Sequence, residues 1–439
     1  MNEPTNARTG RTECTDRLVA TVADTFRLGF EAYLWAYPLV LMARTRNVLT
    51  DPNRRHPCRL NELRVVPRLL TDRDREVVKP NNDTIYVNGW LDLRAGPVTL
   101  TVPEVSRYYS FQLLDHYTET WAYVGTRATG SQAGRYTIVG PEWTGRAPGG
   151  ATVLTAPTNT VWVLGRVLVE GPDDLEEAKR IADSFHLTAP RTLASARTRA
   201  LSPHTVKDAG IGFFDELGAA LVANPPPAAD AELVARLAAA GIGVGHVPSS
   251  EITDPLVLAV LTASVTAAHA CLVASDRGLS AGGGDWRYDL NIGRYDGDHL
   301  LRAVVALNAL GALTAEEAVY ANAGCDGDGN GFDGHNRYVL RFAVNELPPV
   351  DGFWSLTMYD SEDFLTANPI QRFAIGDRTE GLRYGADGSL EIQISHEPPA
   401  STANWLPAPA GPFQLTLRFY LPERPIRDGE YTVPSVRRV

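Results

Sequence analysis

Cysteine is scarce and scattered: Cys14, Cys58, Cys271 and Cys325 are the only four in 439 residues, and no two stand as a CxxC pair. That spacing supports neither a zinc ribbon nor a redox dithiol, and leaves buried free thiols as the reading. Lysine is rarer, at Lys79, Lys179 and Lys207, so nearly all of the 41 basic residues are arginine. With so much alanine and glycine, this reflects coding bias rather than chemistry. Net charge is −11, and no cation cluster suits a phosphate backbone or an anionic bilayer, so neither nucleic acid nor membrane is an expected partner. The histidines show no HxxxH or HxH spacing, which argues against a catalytic zinc or iron centre. A GxSxG elbow, a P-loop and a GxGxxG after a strand are all missing, so hydrolase, nucleotidase and dinucleotide readings lack their signatures. No cofactor and no metal are therefore expected. The N-terminus is polar, and no later run reads as the roughly 18 apolar residues of a membrane span. The expected location is the cytoplasm.

What is present is hydrophobic periodicity, with 44% hydrophobic residues to build cores. Residues 1–17 have almost nothing to bury and are expected to be disordered. From Arg17 to Asn47, apolar residues recur at three- and four-residue spacing, predicting a buried amphipathic helix kinked or broken at Pro38. Period-2 alternation then marks strands at 84–91, 98–102, 108–114, 121–125, 136–139, 152–154 and 161–169, divided by Gly-Pro and Pro-Gly turn signals including Pro148-Gly149-Gly150, as in an antiparallel sandwich or barrel. Acidic residues at 173–177 open a helix. The stretch that follows is Ala/Leu-rich and helical, interrupted by Pro225-Pro226-Pro227; within it residues 255–276 are apolar on nearly every face and predict the most buried helix. After a glycine turn at 282–284, residues 296–310 read as helix, and Thr314-Ala-Glu-Glu317 resembles a capping box opening another. Strands return at 338–342, 353–359, 390–394 and 413–420. The predicted fold is α+β and β-rich: a disordered tail (1–17), a helix with a first sandwich (18–172), a helical connector (173–335) and a second antiparallel sandwich (336–439).

Candidate chemistry collects at the ends of the first meander, residues 80–115, because binding groups gather where sheets meet loops. Asn81-Asn82-Asp83 stands at its entrance and Asp115-His116-Tyr117 at its exit, although Asn and Asp also simply form turns there. If these ends face one cavity, Asp83 and Asp115 become candidate catalytic carboxylates, one serving as base, with Asn82, Tyr86, Tyr109 and Tyr117 binding substrate. Arg127, in Gly125-Thr-Arg-Ala-Thr-Gly130, and Arg372 are candidate anion ligands, since guanidinium offers a planar fork to sulfate or carboxylate; the ordinary reading of each, as a surface or ion-pair arginine, ranks ahead of that role. Trp354, Tyr359, Asn404 and Trp405 could wall an interdomain cleft. The run Asp326-Gly-Asp328-Gly-Asn330-Gly331 matches the start of a calcium loop, but Arg337 replaces the bidentate glutamate and a turn explains it as well.

Long segments also carry a resemblance. PNNDTIYVNGWLDL, RYYSFQLLDHYTE, PPVDGFWSLTMYD, GSLEIQISHEPP and GPFQLTLRFYLP resemble a bacterial two-domain family, domain of unknown function 1254 followed by domain 1214. The resemblance implies a β-rich N-terminal domain, a helical middle and a jelly-roll-like C-terminal sandwich, and nothing agreed about chemistry. Where many relatives carry an export signal this chain shows none, and where many have a histidine before the first sheet it reads Arg59-Leu60-Asn61. It further implies a place in specialised metabolism such as pathways to aziridine-containing antibiotics. The expected function is thus a non-redox cyclase acting on an amino-acid-like substrate, with a carboxylate as base and an arginine holding an anionic leaving group. Alternatives are a non-catalytic ligand carrier or partner subunit of a biosynthetic complex, and a carboxylate-based hydrolase. A small-molecule substrate, a biosynthetic partner protein and a homo-oligomer are the expected associations.

Overall fold

A computed structural model of the chain describes residues 6–75, 78–146, 149–190, 200–276 and 285–439. Residues 1–5 of the expected disordered tail, Pro148 of one turn signal, the glycine turn at 282–284 and the Cys14 side chain lie outside the description. The first element, α1 (Asn6–Thr50), begins inside the stretch expected to lack structure and is not broken at Pro38. Its buried stripe, including Tyr33, Ala36, Tyr37 and Val40, enters a helical core.

The first sandwich follows. One sheet joins β1 (Leu63–Val65), β2 (Thr84–Asp92), β4 (Tyr109–Leu114), β5 (Thr120–Gly125) and β8 (Thr160–Leu168) in the order β1-β2-β8-β4-β5. The other joins β3 (Val98–Val102), β6 (Gly134–Val139), β7 (Thr152–Thr155) and β9 (His186–Thr188) as β7-β6-β3-β9, and α2 (Leu175–Asp183) closes one side. Neither sheet closes into a barrel. The connector supplies α3 (Gly212–Ala223), α4 (Ala231–Ala239), α5 (Pro248–Glu251), α6 (Pro255–Asp276) and α7 (His299–Ala309), with the triple proline between α3 and α4 as expected from its missing N–H groups. The second sandwich pairs β10 (Trp286–Arg287), β11 (Ala318–Ala323), β13 (Val350–Asp360), β14 (Ala374–Gly376) and β17 (Phe413–Pro422), in the order β10-β11-β17-β13-β14, with a smaller sheet of β16 (Trp405–Pro407), β15 (Leu390–Ser395), β12 (Tyr338–Phe342) and β18 (Arg437–Arg438).

Three expectations change. Thr314 does not cap a helix: its carbonyl accepts the Glu317 and Ala318 N–H groups in a turn, and Ala318–Ala323 pairs with β17. The β-branched and aromatic pair Val319-Tyr320 fits a pleated strand better than a helical turn, so the second sandwich takes two strands from the stretch read as connector. Helix α6 is not the most buried. It packs along α1 through Leu261, Val265, Ala268 and Leu272 and leaves Leu256 and Val273 exposed. Residues Pro255–Ser275 are also long and apolar enough to cross a membrane by length and composition, correcting the expectation that no run reaches that threshold; 28% of that window is buried within the fold.

Each sandwich buries the residues that alternation assigns inward. On β8 these are Val161, Val163 and Val167, and on β17 Phe413, Leu415, Leu417 and Phe419. Gly165 completes the β8 row because a Cβ there would lie 2.6 Å from the Phe111 ring and 2.9 Å from Val87. Gly165→Ala should overpack this core and cost about 1–3 kcal/mol, read as a lower denaturant midpoint; an unchanged midpoint would contradict the close approach.

Candidate functional site: a cationic cleft between the large sheets

The central strands of both five-stranded sheets are buried on both faces, and their second faces are not uniformly apolar. On β2 that face carries Thr84, Tyr86, Asn88 and Trp90, and on β8 Trp162, Leu164, Arg166 and Leu168; on β11 it carries Tyr320 and Asn322, and on β17 Thr416, Arg418 and Tyr420. These faces turn towards one another. Tyr108, Leu168, Phe353 and Tyr420 pack at their meeting line, where the Phe353 and Tyr420 rings stack at 4.1 Å. Beyond that seam the sheets part, and together with α1 and α7 they enclose a cleft of about 1440 Å³ lined by Tyr86, Asn88, Arg166, Tyr320, Asn322 and Arg418 among others. This is larger than a typical small-molecule site.

Two buried guanidiniums face the cleft from opposite sheets. Arg166 donates to Gln112 Oε1 at 3.1 Å and to the Gly311 carbonyl at 2.7 Å, with Tyr86 beneath it. Arg418 donates to Thr357 Oγ1 at 2.8 Å, the Lys79 carbonyl at 2.9 Å and the Tyr359 hydroxyl at 2.6 Å. Neither forms an ion pair with a carboxylate among the described residues. Asp83 and Glu317 act on them from a distance, but their oxygens are engaged elsewhere: Asp83 with Arg378 at 2.9 Å and Ser355 at 2.6 Å, Glu317 with Arg127 at 2.6 Å and Tyr108 at 2.9 Å. Between the two arginines, burial pushes the Tyr320 hydroxyl up and both guanidiniums pull it back. On α7, Asn308 Nδ2 is buried with no partner among the described residues. Around the rim, Arg64 and Arg287 add positive charge, while Arg75 is paired with Asp360 and Glu362 and Lys79 with Asp363.

Residues 60–189 match the family described as "Protein of unknown function (DUF1254)" and residues 317–424 that described as "Protein of unknown function (DUF1214)". The chain is a two-domain DUF1254–DUF1214 protein. Together these matches cover the first sandwich and most of the second. No protein of curated function matches it in sequence. Among solved structures, the VPA0106 protein from Vibrio parahaemolyticus is similar at 22% identity, covering 94% of this chain and 100% of its own, with a TM-score of 0.72; that likeness concerns the fold alone. A structure of an uncharacterized protein from Burkholderia cenocepacia matches at 12% identity, 97% coverage of both chains and a TM-score of 0.46.

The residues singled out from the sequence of this DUF1254–DUF1214 protein are dispersed. Asp83 and Asp115 are not brought together: Asp83 adjoins Val169 beyond one end of β8, while Asp115 follows Leu114, which pairs with Trp162 towards the other. Asp83 is a clamp between sandwiches, and Arg127 is another. Tyr86 lines the cleft, and Tyr359 stands behind Arg418 with its hydroxyl donating to the Pro80 carbonyl at 2.7 Å. Asn82 donates to the Leu70 carbonyl at 2.6 Å. Tyr109 stacks on Phe185 in the first sandwich core, Trp354 packs on Phe342 in the second, and Trp405 is buried with its indole on the Ser395 carbonyl. Arg372 and Asn404 bind backbone carbonyls. Tyr117 lies in the helical core, donating to the Asn224 carbonyl at 3.1 Å. The calcium-like loop is a turn in which Asp326 Oδ1 accepts from the Asp328 and Asn330 N–H groups. Of the thiols, Cys58 is buried, while Cys271 and Cys325 are partly covered; all three are free. The residues missed, Arg166 and Arg418, had one signal: a lone arginine inside VWVLGRVLV and LTLRFYLP, strands too apolar to leave either face in water.

Asp115 carries a titration consequence instead of a catalytic one. Its Oδ1 accepts the Tyr117 and Glu119 N–H groups at 2.8 and 3.0 Å, yet burial dominates and pushes the carboxyl up to about 7. Next to it, burial pushes the His116 imidazole down to about 3. The unfolded chain ionises Asp115 near pH 4 and the native fold only near pH 7, so its contribution to stability falls as pH rises across that window, by up to a few kcal/mol. Asp115→Asn retains the acceptor oxygen. It should be more stable than the parent at pH 8 and lose that advantage at pH 4, measured by denaturant titration; an equal difference at both pH values would contradict the assignment.

Proposed function

We propose that the protein binds a small organic anion in the cleft between its two large sheets, held by Arg166 and Arg418 with Tyr86, Tyr320 and Asn322 completing its surroundings. The observation that carries this reading is the pair of buried guanidiniums whose bonds go to neutral oxygens while the nearby carboxylates are engaged with other cations. Burying an ion without a close countercharge costs several kcal/mol, and a bound carboxylate, sulfonate or phosphate would offset that cost through short charge-assisted hydrogen bonds. A side-chain amide and a backbone carbonyl fix the Arg166 fork, and a backbone carbonyl and two hydroxyls fix that of Arg418, so little side-chain entropy is lost on binding.

A second reading is a ring-closing enzyme at the same site. It is supported by the same arginines, which suit an anion leaving with the electron pair of a breaking C–O bond as an amine nitrogen of the same substrate forms its new bond to that carbon. Positioning is then the main contribution to rate. The proton would pass to a group in the cleft wall rather than to Asp83, whose carboxylate is ion-paired. His269 is such a group: burial lowers its pKa and its Nδ1 contacts the Tyr33 hydroxyl at 3.0 Å.

Calorimetric titration with benzoate, benzenesulfonate and phenyl phosphate tests the anion reading. At least one should bind, and Arg166→Met and Arg418→Met should each weaken it about ten- to a hundredfold, with folding stability kept or raised because an unpaired buried charge is gone. Binding that is indifferent to both substitutions, or no binding to any of the three, would end the proposal.

A further inference from the structure

The two sandwiches repeat one plan. The order β1-β2-β8-β4-β5 returns as β10-β11-β17-β13-β14 and β7-β6-β3-β9 as β16-β15-β12-β18, with one parallel pairing in each smaller sheet, β6 with β7 and β15 with β16. Register repeats as well. Tyr86 stands opposite Arg166 and Tyr320 opposite Arg418; across the next strand Arg166 meets Ser110 and Arg418 meets Ser355. Those serines stand opposite Gly125 and Gly376, and two residues after each glycine comes an arginine, Arg127 and Arg378. Each of these closes the seam on an acidic residue of the other half, Glu317 or Asp83, and each acidic residue directly precedes an equivalent strand, β11 or β2. Reciprocal contacts of this kind are what an approximate two-fold axis produces.

This equivalence singles out a further pair of arginines. Arg64 on β1 stands opposite Asn88 on β2, and Arg287 on β10 stands opposite Asn322 on β11. Residues directly opposite one another, and residues two apart on one strand, share a face. Each edge arginine therefore lies on the same surface as its inner counterpart, Arg166 or Arg418, and all four border the cleft. Two strands and two residues separate edge from inner arginine, about 12 Å between Cα atoms at ordinary sheet spacing. Neither Arg64 nor Arg287 pairs with a carboxylate among the described residues. The route from inner to edge arginine differs between the halves. Over the first sheet the turn after α7 covers Leu164, since a Cβ on Gly311 would lie 2.8 Å from that side chain. Over the second the corresponding residue is Thr416, which donates to Asn322 Oδ1 at 2.8 Å, and both border the cleft.

From this arrangement we infer that the ligand is a dianion, with one anionic group between Arg166 and Arg418, a second at Arg287, and the atoms joining them lying over Thr416 and Asn322. The inference rests on the anion reading and deepens it by adding a second charge and the residue that holds it. Arg64, at the equivalent place in the first half, takes no part because the turn at Gly311 occupies the way to it. The chemical class is a dicarboxylate, or a carboxylate that also carries a sulfate or phosphate group.

The test is calorimetric titration of the full chain with straight-chain dicarboxylates from succinate to suberate, each compared with its own monomethyl ester at a pH where every free carboxyl is ionised. The ester keeps the size and removes one charge. At the chain length that spans the two loci, the dianion should bind about tenfold or more tightly than its ester, the strength of one charge-assisted contact. Arg287→Met, at an exposed position whose loss leaves the core intact, should bring that ratio close to one, and Arg64→Met should leave it standing; Arg166→Met should weaken dianion and ester alike. Equal binding of dianion and ester at every length, with both still dependent on Arg166, would overturn this inference and leave the anion reading in place. A ratio that survives Arg287→Met, or that is lost in Arg64→Met instead, would put the second charge elsewhere and also overturn it. No binding by any dianion or ester would remove the anion reading and this inference together.

Discussion

Two guanidinium groups buried between sheets, with their hydrogen bonds spent on neutral oxygens, are the constraint around which this molecule is arranged. A charge in that position is tolerated only if the surrounding fold is rigid enough to hold it and supplies oxygens for its donors. The fold supplies the rigidity through strands covered on both faces. Inward rows of valine, leucine and phenylalanine close each sandwich, leaving the second row of every central strand free to carry tyrosine, asparagine, threonine and arginine. Those second rows meet, and where they part they form the cleft.

The meeting itself is fastened by other charges. Asp83 of the first sandwich binds Arg378 and Ser355 of the second, Arg378 also donates to the Val169 carbonyl and lies 4.1 Å over the Phe353 ring, and Arg127 binds Glu317. These pairs belong to the seam, and by engaging the nearby carboxylates they keep countercharge away from Arg166 and Arg418. The arginines thus divide the work: Arg127 and Arg378 close the interface, while Arg166 and Arg418 face the space beside it. The likeness in fold to the Vibrio parahaemolyticus protein spans both sandwiches, in keeping with an architecture whose two halves are built against each other.

Most of this fold was legible in the sequence because one face of every strand had to be apolar, and alternation reports that directly. The strands at 84–91, 108–114 and 413–420 appear where periodicity places them. Helix limits were less legible: α1 starts at Asn6 in a polar stretch, and Thr314 begins a turn before β11 because its capping-box spelling does not encode the pairing with β17 that decides the matter. The site was legible only in part. Carboxylates at sheet ends attract attention, yet Asp83 and Asp115 are separated by the length of β8, a distance no local pattern reports. Arg166 and Arg418 looked like interruptions of apolar strands; their meaning depends on which surface covers the second face, which is a property of how the sandwiches pack.

The most direct measurement is diffraction from crystals soaked in p-bromobenzenesulfonate, read at the bromine absorption edge. The account predicts a sulfonate within hydrogen-bond distance of both Arg166 and Arg418. Saturated binding at another place on the surface, with no density between these two arginines, would contradict it.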